Sequence, residues 1–133
     1  MNNVYVDTSA FLAVLDSDDS HHNKAKKEWA ELVFSGVNLY CSNYILVETF
    51  ALLQHRFGMD AVKLFDQDIL PIMNILWITE PLHSRGVSAY LTASKRKLSL
   101  IDCVSFEVMR HYDVKSAFVF DAHFKNQGFE CLP

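Results

Sequence analysis

The chain has 133 residues, half of them hydrophobic, and a formal charge of −4. That length and apolar content suit one globular domain, residues 1–133, around a single core, and the acidic balance excludes an indiscriminate polybasic binder that owes its affinity to counterion release. The three cysteines, Cys41, Cys103 and Cys131, form no CxxC pair, so buried free thiols in a reducing cytoplasm are expected in place of a disulfide framework or a zinc site.

Val4 to Val6 is a β-prone run that closes on Asp7-Thr8-Ser9, and Ala10 to Leu15 then reads as a turn or two of helix. The polar break Asp16 to Ser20 supplies N-cap candidates for a helix through Trp29 and Leu32 that stops near Gly36. Val37 to Cys41 is the second strand. Ser42-Asn43 caps a helix to about Phe57, and after Gly58 a further helix runs from Met59 to about Leu70, before Pro71. Ile75 to Thr79 is the third strand. A helix from about Leu82 to Lys95, a short loop through Ser99 and a helix from about Asp102 to Tyr112 lead to the strand Ala117 to Phe120, and Phe129 to Leu132 forms a short last strand. Strands alternating with helices predict a three-layer α/β/α sandwich on a central parallel sheet. No apolar run approaches the roughly 20 residues of a membrane span, and Met1 to Asp7 lacks the basic and apolar regions of a secretion signal. The expected location is therefore the cytoplasm.

Open α/β sheets place their working site beyond the carboxyl ends of the strands, where strand order reverses. Asp7 and Asp121 both end strands in this reading; each also suits a helix N-cap. Glu48 has Tyr44, Ile45, Ala51 and Leu52 as helical neighbours, so its helix is apolar nearly all round and is expected to be buried. A carboxylate held there needs a cation or several donors; the plainer alternative turns Glu48 to solvent beside exposed apolar residues. Asp102 follows Leu100-Ile101 at a helix start. Carboxylates about 4 Å apart repel by about 4 kcal/mol at an effective dielectric near 20, so four in one pocket take up protons or bind cations. Oxygen ligands select hard ions such as Mg²⁺ or Mn²⁺, which activate water and stabilise the leaving oxygen in phosphodiester hydrolysis.

Four ordered blocks carry a family resemblance: Val6-Asp7-Thr8-Ser9-Ala10; Val47-Glu48-Thr49, in a helix reaching Arg56-Phe57-Gly58; Leu98 to Phe106 around Asp102; and Phe120-Asp121-Ala122-His123-Phe124 with Gly128-Phe129. Along nearly its whole length the chain resembles the PIN-domain family, especially the VapC-like toxins of toxin–antitoxin modules. The resemblance implies a metal-dependent ribonuclease with Asp7, Glu48, Asp102 and Asp121 as catalytic and metal-binding residues, Mg²⁺ or Mn²⁺ as cofactor, RNA as substrate, a cognate antitoxin as partner, and a homodimer. It also implies that the hydroxyls of Thr8 and Ser105 orient carboxylates or metal-bound waters, although capping by Thr8 and back-bonding by Ser105 within their helices explain them as well. Two positions depart from the pattern: Val119 stands where relatives often carry a hydroxyl residue, and His123 where many carry another acid.

Other features carry less. His21-His22 beside Asp16, Asp18 and Asp19 is explained by helix capping and solvation, although a metal site there is conceivable. Lys24, Lys26 and Lys27 read as a solvated helix face, whereas Lys95-Arg96-Lys97 precedes Asp102 closely enough to contact RNA phosphates. Phe11, Trp29, Phe50, Phe57 and Trp77 mostly suit core positions, so no base-stacking platform is claimed. A phosphoaspartyl phosphatase would need an acid where Ser9 stands, and a phosphoacceptor signalling domain would need paired acids after the first strand. The surviving alternative is a catalytically inactive PIN-like protein that binds RNA or an antitoxin.

Overall fold

The computed structural model describes residues 2–133. Its strands are β1 (Asn3–Val6), β2 (Asn38–Ser42), β3 (Asn74–Leu76), β4 (Ser116–Phe118) and β5 (Glu130–Leu132). Its α-helices are α1 (Thr8–Leu15), α2 (His22–Ser35), α3 (Asn43–Phe57), α4 (Met59–Leu64), α5 (Glu80–Ala93), α6 (Leu100–His111) and α7 (Ala122–Asn126). The strands form one parallel sheet in the order β3-β2-β1-β4-β5. Parallel neighbours need crossovers, which are right-handed, and the helices fall into two packed groups: α1 lies on α2 and α3, with α4 against α3, while α5 packs on α6 and α6 on α7. The α/β/α sandwich read from the sequence is the fold found.

The order places β1 in the centre, with β2 and β3 built outward on one side and β4 and β5 on the other. Successive crossovers therefore diverge from β1, and the carboxyl ends of β1 and β4 flank the point where direction reverses. Ligand sites of such sheets lie at that point. Beneath it Tyr5, Val6 and Phe118 are fully buried. Phe11 and Phe50 meet Phe65 edge-on at 5.0 and 5.5 Å, and Phe106 meets Phe124 at 4.9 Å, an arrangement that suits the ring quadrupoles.

Several boundaries differ from expectation for local reasons. The strand expected over Ile75 to Thr79 stops at Leu76 because the Ile78 amide donates to Asn43 Oδ1 (2.7 Å) and Thr79 becomes the N-cap of α5. The helix expected from Met59 to Leu70 is regular only to Leu64; a π-helical turn, Phe65–Ile69, and a 3₁₀ turn, Leu70–Ile72, follow, the latter holding Pro71. β4 ends at Phe118, since the Phe120 amide turns to the Ser9 hydroxyl. Helix α7 was expected only through the alternative in which Asp121 caps a following helix, which it does. Nor is α3 buried all round: its buried residues are Ile45, Thr49 and Leu53, while Val47 is 69% exposed. Phe57 and Trp77 are also exposed, and Cys131 is only half-buried, unlike Cys41 and Cys103. Where Gly86 sits, a Cβ would come within 2.5 Å of Val104 Cγ2 and 3.1 Å of its Cα, so α5 and α6 approach as closely as the missing side chain allows.

Candidate metal centre

Asp7 follows β1 and is the N-cap of α1. Its Oδ2 accepts from the Ser9 amide (3.0 Å) and the Ser9 hydroxyl (2.7 Å), and its own amide donates to the Phe118 carbonyl (3.1 Å), which ties it to β4. Asp121, beyond β4, is the N-cap of α7, with Oδ1 accepting from the His123 amide at 2.8 Å. Asp102 does not begin its helix, as the sequence suggested, but lies at the third position of α6. There its Oδ2 accepts from the Ser99 amide (3.2 Å) while its amide donates to Ser99 Oγ (3.0 Å), a reciprocal capping box. Glu48 sits in the middle of α3, half-buried. The next residue, Thr49, donates its hydroxyl to Thr8 Oγ1 (3.1 Å) and so fastens α3 to α1 beside Asp7.

These placements draw the acids into one electrostatic neighbourhood. Burial pushes the Asp7 carboxyl up to about 7; the Ser9 hydrogen bonds oppose that rise, and the charges of Asp102 and Glu48 add to it. Asp102 is pushed up to about 6, first by burial and then by Asp121, against the Ser99 bonds and His123. Ligand atoms of Asp102, Asp121 and His123 lie within 4.8 Å of one another. The His123 Nε2 is 4.0 Å from Asp121 Oδ1 and 3.2 Å from the Lys97 carbonyl, so the basic triplet Lys95-Arg96-Lys97 ends at the rim of this cluster.

The three aspartates divide their labour by oxygen. In each, one oxygen accepts the capping bonds and the other has no hydrogen-bond partner among the described residues. No fully buried side-chain oxygen or nitrogen among those residues lacks a partner, so these free oxygens are not wholly enclosed although Asp7 and Asp102 are buried. The two carboxylates and the imidazole of Asp102, Asp121 and His123 are a donor set that fits a hard or borderline divalent cation such as Mg²⁺ or Mn²⁺, while Asp7 and Glu48 stand outside that group of ligand atoms and act on the neighbourhood through their charges.

Some expected partners serve elsewhere. The Ser105 hydroxyl bonds the buried Tyr5 phenol (2.8 Å), and Thr8 accepts from Thr49 instead of reaching a carboxylate. The hydroxyl on Asp7 belongs to Ser9, which the sequence reading weighed only as a missing second acid. The S-x-x-D spacing of Ser99 and Asp102 was the available signal for the capping box. Near the N-terminus of α2 both imidazoles have local partners: His22 Nδ1 lies 2.8 Å from the Ala13 carbonyl, and His21 stacks on Phe120. Asp16 and Asp19 accept the amides of Asp18 and His21, as local turns require.

The sheet order sets Asp7, beyond β1, and Asp121, beyond β4, at its switch point. The PIN domain family model matches residues 4–130, and the chain belongs to that family. Among curated proteins it is similar to the 23S rRNA-specific endonuclease VapC20 of Mycobacterium tuberculosis, 30% identical over 127 residues that cover 95% of either chain, with the same figures for strains CDC 1551 / Oshkosh and ATCC 25618 / H37Rv. The crystal structure of Mycobacterium tuberculosis VapC20, described as a sarcin-ricin loop cleaving toxin, superposes with a TM-score of 0.86 at 30% identity, covering 98% of this chain and 99% of that one. FitAcB from Neisseria gonorrhoeae shares the fold at a TM-score of 0.72 and 15% identity, covering 98% of this chain and 96% of that one.

Proposed function

We propose that this chain, as one PIN-like domain over residues 1–133, is a metal-dependent endoribonuclease and the toxin of a toxin–antitoxin module. The observation that carries the reading is the cluster of Asp102, Asp121 and His123, whose ligand atoms lie within 4.8 Å of one another, with the Asp7 carboxyl pushed up by burial and by the charges of Asp102 and Glu48 nearby; we assign Asp7, Glu48, Asp102 and Asp121 to one metal site on that basis. Carboxylates so placed exchange their protons for a cation near neutral pH. A bound Mg²⁺ or Mn²⁺ would supply Lewis-acid stabilisation to the attacking and leaving oxygens of a phosphodiester. The protein's own contribution is orientation. Ser9 and Ser99 lock one oxygen of Asp7 and of Asp102, so the free oxygens are positioned before substrate arrives, and Lys95, Arg96 and Lys97 offer positive charge to the RNA backbone alongside.

The likeness to an endonuclease of 23S rRNA makes ribosomal RNA the first substrate to try. An RNA carrying the sarcin-ricin loop, incubated with Mg²⁺ or Mn²⁺, should be cut at one position by the wild type. Intact loop and intact 23S rRNA under both metals would end the ribonuclease reading. We also infer a homodimer, supported by Val47, Phe57, Met59 and Leu64, all exposed along α3 and α4.

A further inference from the structure

The sequence feature that the metal centre leaves unused is the start of α2. There His21 lies flat on Phe120, with ring centroids 4.5 Å apart and planes inclined by 11°. Phe120 immediately precedes Asp121, and its amide is tied through Ser9 Oγ to Asp7. The stacked pair therefore forms a ledge at the rim of the acidic cluster. From it a groove of ≈ 570 Å³ runs along α2, lined by Lys24, Lys27, Glu28 and Glu31. His21, Lys24 and Lys27 are exposed and succeed one another by one helical turn. Neither lysine forms a salt bridge among the described residues.

We infer that this groove is a subsite for single-stranded RNA, in which a base flanking the cut stacks on the open face of His21 while Lys24 and Lys27 take the adjoining phosphates. It rests on the ribonuclease reading above. An aromatic ledge followed by unpaired cations is the combination by which proteins hold single strands without reading their sequence. Glu28, beside Lys27, and Glu31, a turn beyond, bound the groove with negative charge and keep the bound stretch short.

The probe is an eight-nucleotide single-stranded RNA carrying 2-aminopurine, titrated in EDTA so that it stays uncut. Its anisotropy reports affinity, and quenching of its fluorescence reports stacking. Lys24→Ala/Lys27→Ala should weaken binding and lower the slope of log K against log salt by about 1.4, since each phosphate contact on a single strand contributes about 0.7. His21→Ala should weaken binding about tenfold and abolish the quenching with the salt slope unchanged. His21 makes no side-chain cap bond to α2, so the helix does not depend on it, and His21→Phe should restore the quenching. Wild-type affinity and slope in both variants would overturn the subsite while leaving the nuclease intact. A wild-type protein that does not bind the octamer would likewise overturn the subsite, while the ribonuclease reading stands or falls separately on cleavage of the sarcin-ricin RNA with metal.

Discussion

Ser9 is the hydroxyl on which the geometry at Asp7 turns, because it donates to Asp7 while accepting from the Phe120 amide. Ser9→Ala leaves that amide without its acceptor and Asp7 with a single donor. A stability loss of about 1–2 kcal/mol is expected in thermal melts, together with a clear fall in kcat that Ser9→Thr partly restores. Asp102→Asn should abolish metal-dependent cleavage without lowering the melting temperature of the metal-free protein. The amide keeps the shape of the cap and removes repulsion from Asp121. Asp18→Asn, in the exposed turn before α2, should cleave normally. The two raised carboxyls also set a pH response. Their folded values of about 7 and about 6 exceed the ordinary 3.8, so the folded state binds their protons more tightly than the unfolded chain does. Stability from these groups is full below about pH 4 and is lost as pH rises through 6 to 7. Calorimetry in EDTA should therefore show the melting temperature falling from pH 5 to pH 8. Millimolar Mg²⁺ or Mn²⁺ should restore it at pH 8 and do little at pH 5.

At the scale of the element, the closest helix contact positions the site. Gly86→Ala improves helix propensity by up to about 1 kcal/mol, yet the new methyl would overlap a β-branched Val104 that has no free rotamer in a helix. Overpacking wins, with a net loss of about 1–3 kcal/mol. Because Val104 lies two residues from Asp102, metal affinity measured by titration calorimetry should fall as well. Element types were mostly legible in the sequence because each strand is a short apolar run and each helix follows a capping residue. The ends were not, since side chains from distant elements decide them: Asn43 stops β3 by taking the Ile78 amide, and Ser9 stops β4 by taking that of Phe120. The acids of the site were legible for a related reason, as three stand where helices begin. Their hydroxyl partners were not, because Thr8 and Ser9 are adjacent on a first turn and only packing against Thr49 assigns Thr8 to α3.

For the whole molecule, an order that diverges from β1 brings residues 7 and 121 together although they stand at opposite ends of the sequence. Association should follow from the opposite surface logic. Val47 and Phe57 of α3, on a helix that sequence reasoning placed in the core, instead meet solvent, so the expected species in sedimentation at micromolar concentration is a dimer near twice the 15.3 kDa chain. Val47→Lys should shift it to the monomer. A single species at monomer mass in the wild type would discard the dimer.

The division of each aspartate into a capping oxygen and a free one bears on how a degenerate descendant of such an enzyme would look. Asp7, Asp102 and Asp121 would each remain useful after activity was lost, because α1, α6 and α7 still need their first turns closed. Drift at those positions should favour Asn and Ser and seldom Ala. Glu48 closes no helix and accepts no hydrogen bond among the described residues. Of the four, it alone would be released from selection along with the metal, so its survival is the surest mark of a working centre.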